Sequence, residues 1–167
     1  MNSRLFRAAT LTGAAALGYA LLAGGTSSAK ARTIQVSGFY SEHAVTGPEC
    51  TSPVGLCIAA EYRGGIRGAL AGNASAIIAT ADTPATDVSA FTSDSTLTAT
   101  IRGRTGTLLI KNAGVFSSTD GGPIVDVQTV VGGTGDLAGA SGSIRASGTF
   151  SFANGGRSEY TGTVVLP

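Results

Sequence analysis

The residues of this chain equipped for chemistry are few: one histidine, two cysteines and ten carboxylates. His43 stands between Glu42 and Ala44, and serines abound, so a Ser-His-Asp triad is formally available. No G-x-S-x-G elbow exists to present a nucleophile, and His43 reads as a solvent-exposed loop residue. Cys50 and Cys57 enclose Pro53 and Gly55, both turn formers. A local disulfide is favoured over a nucleophilic thiol or a zinc site. Zinc needs further ligands, and only Glu42, His43 and Glu49 lie near, without a metal-binding spacing. Asp120, Asp126 and Asp136 surround one segment, but no D-x-D-x-D-G loop is present. Aspartates beside turns usually bond backbone, so calcium is not indicated.

"GTGDLA", residues 133–138, has the G-x-G-x-x-A form of a dinucleotide turn. That turn works only between a strand and a helix whose N-terminus faces the phosphates. Here Gly139-Ala140-Ser141-Gly142-Ser143 follows, and each glycine costs a helix about 1 kcal/mol. Beyond it Ile144, Ala146, Gly148, Phe150 and Phe152 alternate with polar residues, which is a strand. The glycines Gly132, Gly133, Gly135, Gly139 and Gly142 therefore read as a structural turn, some of them at positive φ. No nucleotide or other cofactor is expected.

Two carboxylates remain as catalytic candidates, Asp126 and Glu61. Glu61 shares a face with Arg63 and Arg67, where an ion pair on a solvated surface is the simpler expectation. Asp126 and Gln128 share a face with Ile124 and Val130, a mixed pattern that fits either side of a barrel wall. A carboxyl held inside an apolar barrel has a raised pKa and can act as general acid or base.

These side chains must be carried by strands, because period-two alternation recurs along the chain. Thr96, Thr98, Thr100 and Arg102 oppose Leu97, Ala99 and Ile101; Glu159, Thr161 and Thr163 oppose Tyr160, Gly162 and Val164. The pattern predicts eight strands: 33–39, 58–70, 74–82, 89–102, 106–115, 124–131, 142–152 and 158–166. Asn154-Gly155-Gly156 reads as a hairpin turn. Eight antiparallel strands must close or stack to protect their edges. Gly64-Gly65, Gly103 and Gly148 would let long strands bend into an all-β, eight-stranded antiparallel barrel. Six Phe, four Tyr and no Trp leave a modest core and a narrow interior.

Residues 1–31 read as a cleaved signal peptide and 32–167 as a single barrel domain. Arg4 and Arg7 precede an uncharged run from Ala8 to Ala23, and small residues end at Ala29 or Ala31. Sixteen residues fall short of the roughly 20 that span a bilayer. Three of the eleven basic residues (Arg4, Arg7, Lys30) lie in this leader, leaving eight against ten acidic residues, a net charge of −2. Such a chain has no basic footprint for nucleic acid. A secreted product with no membrane attachment after cleavage is expected. Asn73-Ala74-Ser75 matches an N-glycosylation acceptor.

"VVGGTGDLAGASGSIRASGTF" (130–150), with "GRTGTLLIKNAGVF" (103–116) before it, resembles the allene oxide cyclase barrel-like superfamily. That group includes plant allene oxide cyclases, dirigent-type proteins and secreted bacterial members. The resemblance covers about 103–166 and implies an eight-stranded antiparallel barrel with an apolar interior, often trimeric. In the plant enzymes a carboxylate inside the barrel and an ordered water steer a reactive fatty-acid epoxide into a ring. Their Tyr-Glu and Asn-Glu segment is absent here, where the first strand reads "TIQVSGFYSEHAV" and Glu42 is the one comparable charge. The leading expectation is a secreted barrel that binds a small apolar ligand, or a partner, without catalysis. The alternatives are a cyclase or isomerase acting on a reactive lipid- or isoprenoid-like substrate, and a wall-associated structural protein with a filled lumen.

Overall fold

The computed structural model describes residues 30–79, 87–117, 119 and 121–167; the leader and Asp120 lie outside them. Eight strands run β1 (Arg32–Val45), β2 (Cys57–Gly64), β3 (Arg67–Ala79) and β4 (Val88–Ile101), then β5 (Arg104–Ser117), β6 (Gly122–Gly133), β7 (Ser141–Ser151) and β8 (Gly155–Leu166). Each pairs antiparallel with the next, and β8 pairs back to β1 from Arg32↔Leu166 to Glu42↔Gly156. The barrel is closed, so no edge is left to protect. Among the described residues no helix is long and apolar enough to cross a membrane.

Alternation sets the inner and outer faces as the sequence predicts: Leu97, Ala99 and Ile101 are buried while Thr96, Thr98 and Thr100 are exposed. Four expectations about the strands need correction. The expected strand 58–70 is two strands, because Gly64-Gly65 is a hairpin turn and not a bend: Gly64 lies at φ +107° and Gly65 N–H donates to Ser37 O. Parity survives that turn, so Tyr62, Ile66 and Leu70 all still point inward. Gly103 is likewise the turn between β4 and β5, at φ +82°. The first strand runs on to Val45, which puts His43 on the exposed face of a strand and not in a loop. Phe152 falls past the end of β7 and is 52% exposed.

Strand order divides the barrel into two ends. The turn 134–140 folds across the start of β5 at one of them. Thr134 N–H donates to Thr107 O at 2.8 Å, and Thr105 N–H to Asp136 Oδ2 at 3.3 Å. Its 3-10 turn, Gly135–Leu137, buries Leu137 completely in the core cluster that holds Ile101, Leu108, Ile144 and Leu166. This end is filled. Gly135, Gly139 and Gly142 have positive φ, whereas Gly133 is required for a different reason: a Cβ there would lie 2.2 Å from Leu137 O.

The opposite end carries the loop 46–56, closed by the Cys50–Cys57 disulfide. Ser52 ties this loop to the wall, its hydroxyl accepting from Val54 and Leu56 N–H and donating to Ala74 O at 2.7 Å. By the chain-entropy view so short a bridge adds about 2 kcal/mol. Cys50→Ser/Cys57→Ser is expected to lose that amount in urea unfolding, with the barrel's circular dichroism retained. Mass measurement with alkylation should show two thiols only after reduction.

Candidate functional site

Moving from the filled end toward the open one, the lumen changes from aliphatic to aromatic to polar and back to apolar. Val36, Tyr40 and Ala44 continue one inward face of β1, and the same parity carries Glu42 inside. On β6, Ile124, Asp126, Gln128 and Val130 all point inward, which resolves the mixed pattern: this carboxylate is in the lumen. Asp126 is 6% exposed and Gln128 2%. Glu61 is on the outside of the wall, exposed with Arg63 and Arg67, and forms no ion pair with them. The two catalytic candidates are thus not brought together. The carboxyl that shares the lumen with Asp126 is Glu42.

The aromatic layer consists of three tyrosines. Tyr40 and Tyr62 stack with centroids 4.6 Å apart, and Tyr160 tilts against Tyr62 at 5.4 Å. Tyr160 serves the fold: it accepts Ile66 N–H at 2.9 Å and faces the carbonyls of Arg63 and Ile66, pinning the β2–β3 hairpin. The other two serve the polar belt. Tyr40 Oη donates to Asp126 Oδ1 at 3.4 Å, and Tyr62 Oη to Gln128 Oε1 at 2.9 Å. Gln128 Nε2 in turn donates to Asp126 Oδ2 at 3.1 Å. Beside Gln128, on the neighbouring strand and in register with it, Asn112 gives its amide hydrogens to Ser93 Oγ and Ser95 Oγ. Ser158 Oγ reaches Glu42 Oε1 at 3.5 Å.

Burial dominates the electrostatics here, because a charge inside the barrel wall loses most of its hydration. Burial pushes Asp126 up to about 6, against the pull of its bonds from Gln128 and Tyr40. Glu42 rises to about 7, first by burial and then by the negative charge of Asp126. Burial, with Asp126 next in effect, also drives the Tyr40 and Tyr62 hydroxyls upward, so both stay protonated and act as donors.

Above the belt a cavity of about 60 Å³ opens through an apolar mouth formed by Leu56, Ile58, Phe91, Phe116, Ile124 and Phe150. Phe91 and Phe116 meet at 6.0 Å, and Phe152 sits edge-on to Phe116 and Phe150 at the rim. Leu56 belongs to the disulfide-closed loop, so the bridge stiffens one wall of the mouth. No group of three or more His, Cys, Asp or Glu among the described residues is placed to hold a metal ion. Tyr40, Glu42, Tyr62 and Asn112 are members of the belt that sequence reasoning missed as site residues. Parity with Val36 and Tyr40 would have placed Glu42, had the first strand been extended past residue 39.

A family model described as a protein of unknown function, DUF3224, matches residues 35–163. No curated protein and no solved structure matches the chain.

Proposed function

The chain belongs to the DUF3224 family, and we propose that it is an exported binding barrel. In this reading the open half of the lumen holds a small ligand, apolar at one end and hydrogen-bonding at the other. One observation carries the reading: a desolvated belt of Tyr40, Glu42, Asp126, Gln128 and Asn112 lies beneath an apolar, aromatic mouth. A barrel serving only as a structural element would fill its lumen throughout, as this one does around Leu137 and Leu166. Ligand sites are typically apolar clefts with a few convergent polar groups. A cavity of about 60 Å³ has room for roughly five waters, which matches a small polar head and not a long acyl chain. Export fits the disulfide, since such bridges persist in oxidising compartments.

A second reading, an isomerase or cyclase, draws on Asp126 and Glu42, whose pKa values of about 6 and 7 suit proton transfer near neutrality. It needs a reactive substrate that the belt itself does not specify. Self-association, which the superfamily resemblance implies, would use the outer face of β5 and β6, where Leu109, Val115, Val125 and Val131 are exposed.

Native mass spectrometry of the exported protein tests the binding reading. A small-molecule mass excess, lost on denaturation, is expected. Ile124→Trp, which fills the mouth, should lose that adduct while keeping the barrel's circular dichroism. Ligand-free protein from its native source, with no stabilisation by any small amphiphile, would contradict the reading. The same spectra count subunits.

A further inference from the structure

The polar belt is unbalanced in two ways. Its titratable groups are Tyr40 and Glu42 from β1, Tyr62 from β2 and Asp126 from β6, with Tyr160 of β8 packed against Tyr62, and among the described residues no Lys, Arg or His lines the cavity. Two carboxyls therefore share a desolvated chamber without a counter-charge. The belt is also short of donors where it meets the cavity. Asn112 Oδ1 is buried with no hydrogen-bond partner, because the amide hydrogens of that side chain are turned to Ser93 and Ser95. Glu42 receives a single long bond of 3.5 Å from Ser158. A buried acceptor left without a donor is costly, and a ligand that brings hydrogens and positive charge relieves both deficits at once.

We propose that the lumen is a site for a small organic ammonium ion. This rests on the reading of the lumen as a ligand site and names the ligand's class. The N–H groups of a primary or secondary ammonium point to Asp126, Glu42 and Asn112 Oδ1. Its alkyl or aryl part leaves through the mouth between Phe91, Phe116 and Phe150. An ammonium donates up to three hydrogen bonds and accepts none, the complement of this belt. The stacked Tyr40–Tyr62 pair and the phenylalanines of the mouth add ring faces that attract a cation. The cavity of about 60 Å³ limits the buried part to a head group and a few carbons. Because Glu42 and Asp126 are raised toward neutrality, bound cation and bound proton compete.

The probes are n-butylammonium chloride, 1-butanol and sodium chloride, titrated into the full mature protein in phosphate buffer and followed by melting temperature and calorimetry. Butylammonium is expected to stabilise at pH 8, with affinity falling tenfold or more by pH 5 as the carboxyls take up protons. Butanol and sodium at equal concentration should bind at least tenfold more weakly. Asp126→Asn and Glu42→Gln remove charge without changing shape, so both should fold and each should weaken butylammonium tenfold or more. Equal or tighter binding of butanol would overturn the ammonium assignment while leaving the ligand site standing. An equal effect of sodium, or butylammonium binding that survives both substitutions, would overturn it as well. No binding of either organic probe would overturn both the assignment and the ligand reading.

Discussion

Gly133→Ala is expected to cost about 2–3 kcal/mol and lower the melting temperature by roughly 10 °C, whereas Gly132→Ala changes stability by less than about 0.5 kcal/mol. The two glycines are neighbours in one turn, but their surroundings differ. A Cβ on Gly133 would lie 2.2 Å from Leu137 O and 2.9 Å from Thr107 O. Both are backbone atoms of the fold's own closure and cannot swing aside. A Cβ on Gly132 meets the Leu109 side chain at 3.5 Å from Cδ1 and 4.0 Å from Cβ, ordinary contacts. The damage should spread to the filled end, because Leu137 plugs it. Thermal melts of the two variants check this, and equal losses would mean that the turn is not packed as described. In a dinucleotide turn the same change would chiefly abolish cofactor binding, so the melting temperature of the natural protein should not respond to NAD, NADP, FAD or ATP.

The second large effect concerns pH. Asp126 and Glu42 have folded-state pKa values raised to about 6 and about 7, above those of an unfolded chain. The folded protein thus holds protons that the unfolded chain has already released. Their contribution to stability is fully present below about pH 4 and is lost as pH rises through 6 and 7. The barrel should be more stable at pH 5 than at pH 8 by about 2–4 kcal/mol. Glu42→Gln/Asp126→Asn should be the more stable protein at pH 8 and should flatten the dependence between pH 5 and 8. Urea unfolding at the two pH values measures it. A natural protein that gains stability toward pH 8 would show that the belt is solvated.

The alternation that revealed the barrel also explains where sequence reading stopped. Period two places Leu97, Ala99 and Ile101 together, and Tyr160 with Val164, wherever the inner face is apolar. It loses its contrast at the belt, where Glu42, Asp126, Gln128 and Asn112 are polar and inward. Asp126 was legible as a candidate because Ile124 and Val130 flank it on one face, but its side of the wall was open. Glu61, a carboxylate sharing its strand face with Arg63 and Arg67, lies outside, since charge on a strand does not identify the lumen. Gly64-Gly65 was legible as a break but not as a hairpin, because parity continues through it from Tyr62 to Ile66. The disulfide was the simplest to read, from two cysteines and one short loop.

A desolvated carboxyl pair lies on the floor of the open lumen. Carbon-13 NMR of the side-chain carboxyls, titrated from pH 3 to pH 9 on the natural protein, tests it most directly. Asp126 and Glu42 should titrate near 6 and 7 respectively, well above the exposed carboxylates. Both groups titrating near 4 would show that water reaches the belt freely, and would contradict the binding floor described here.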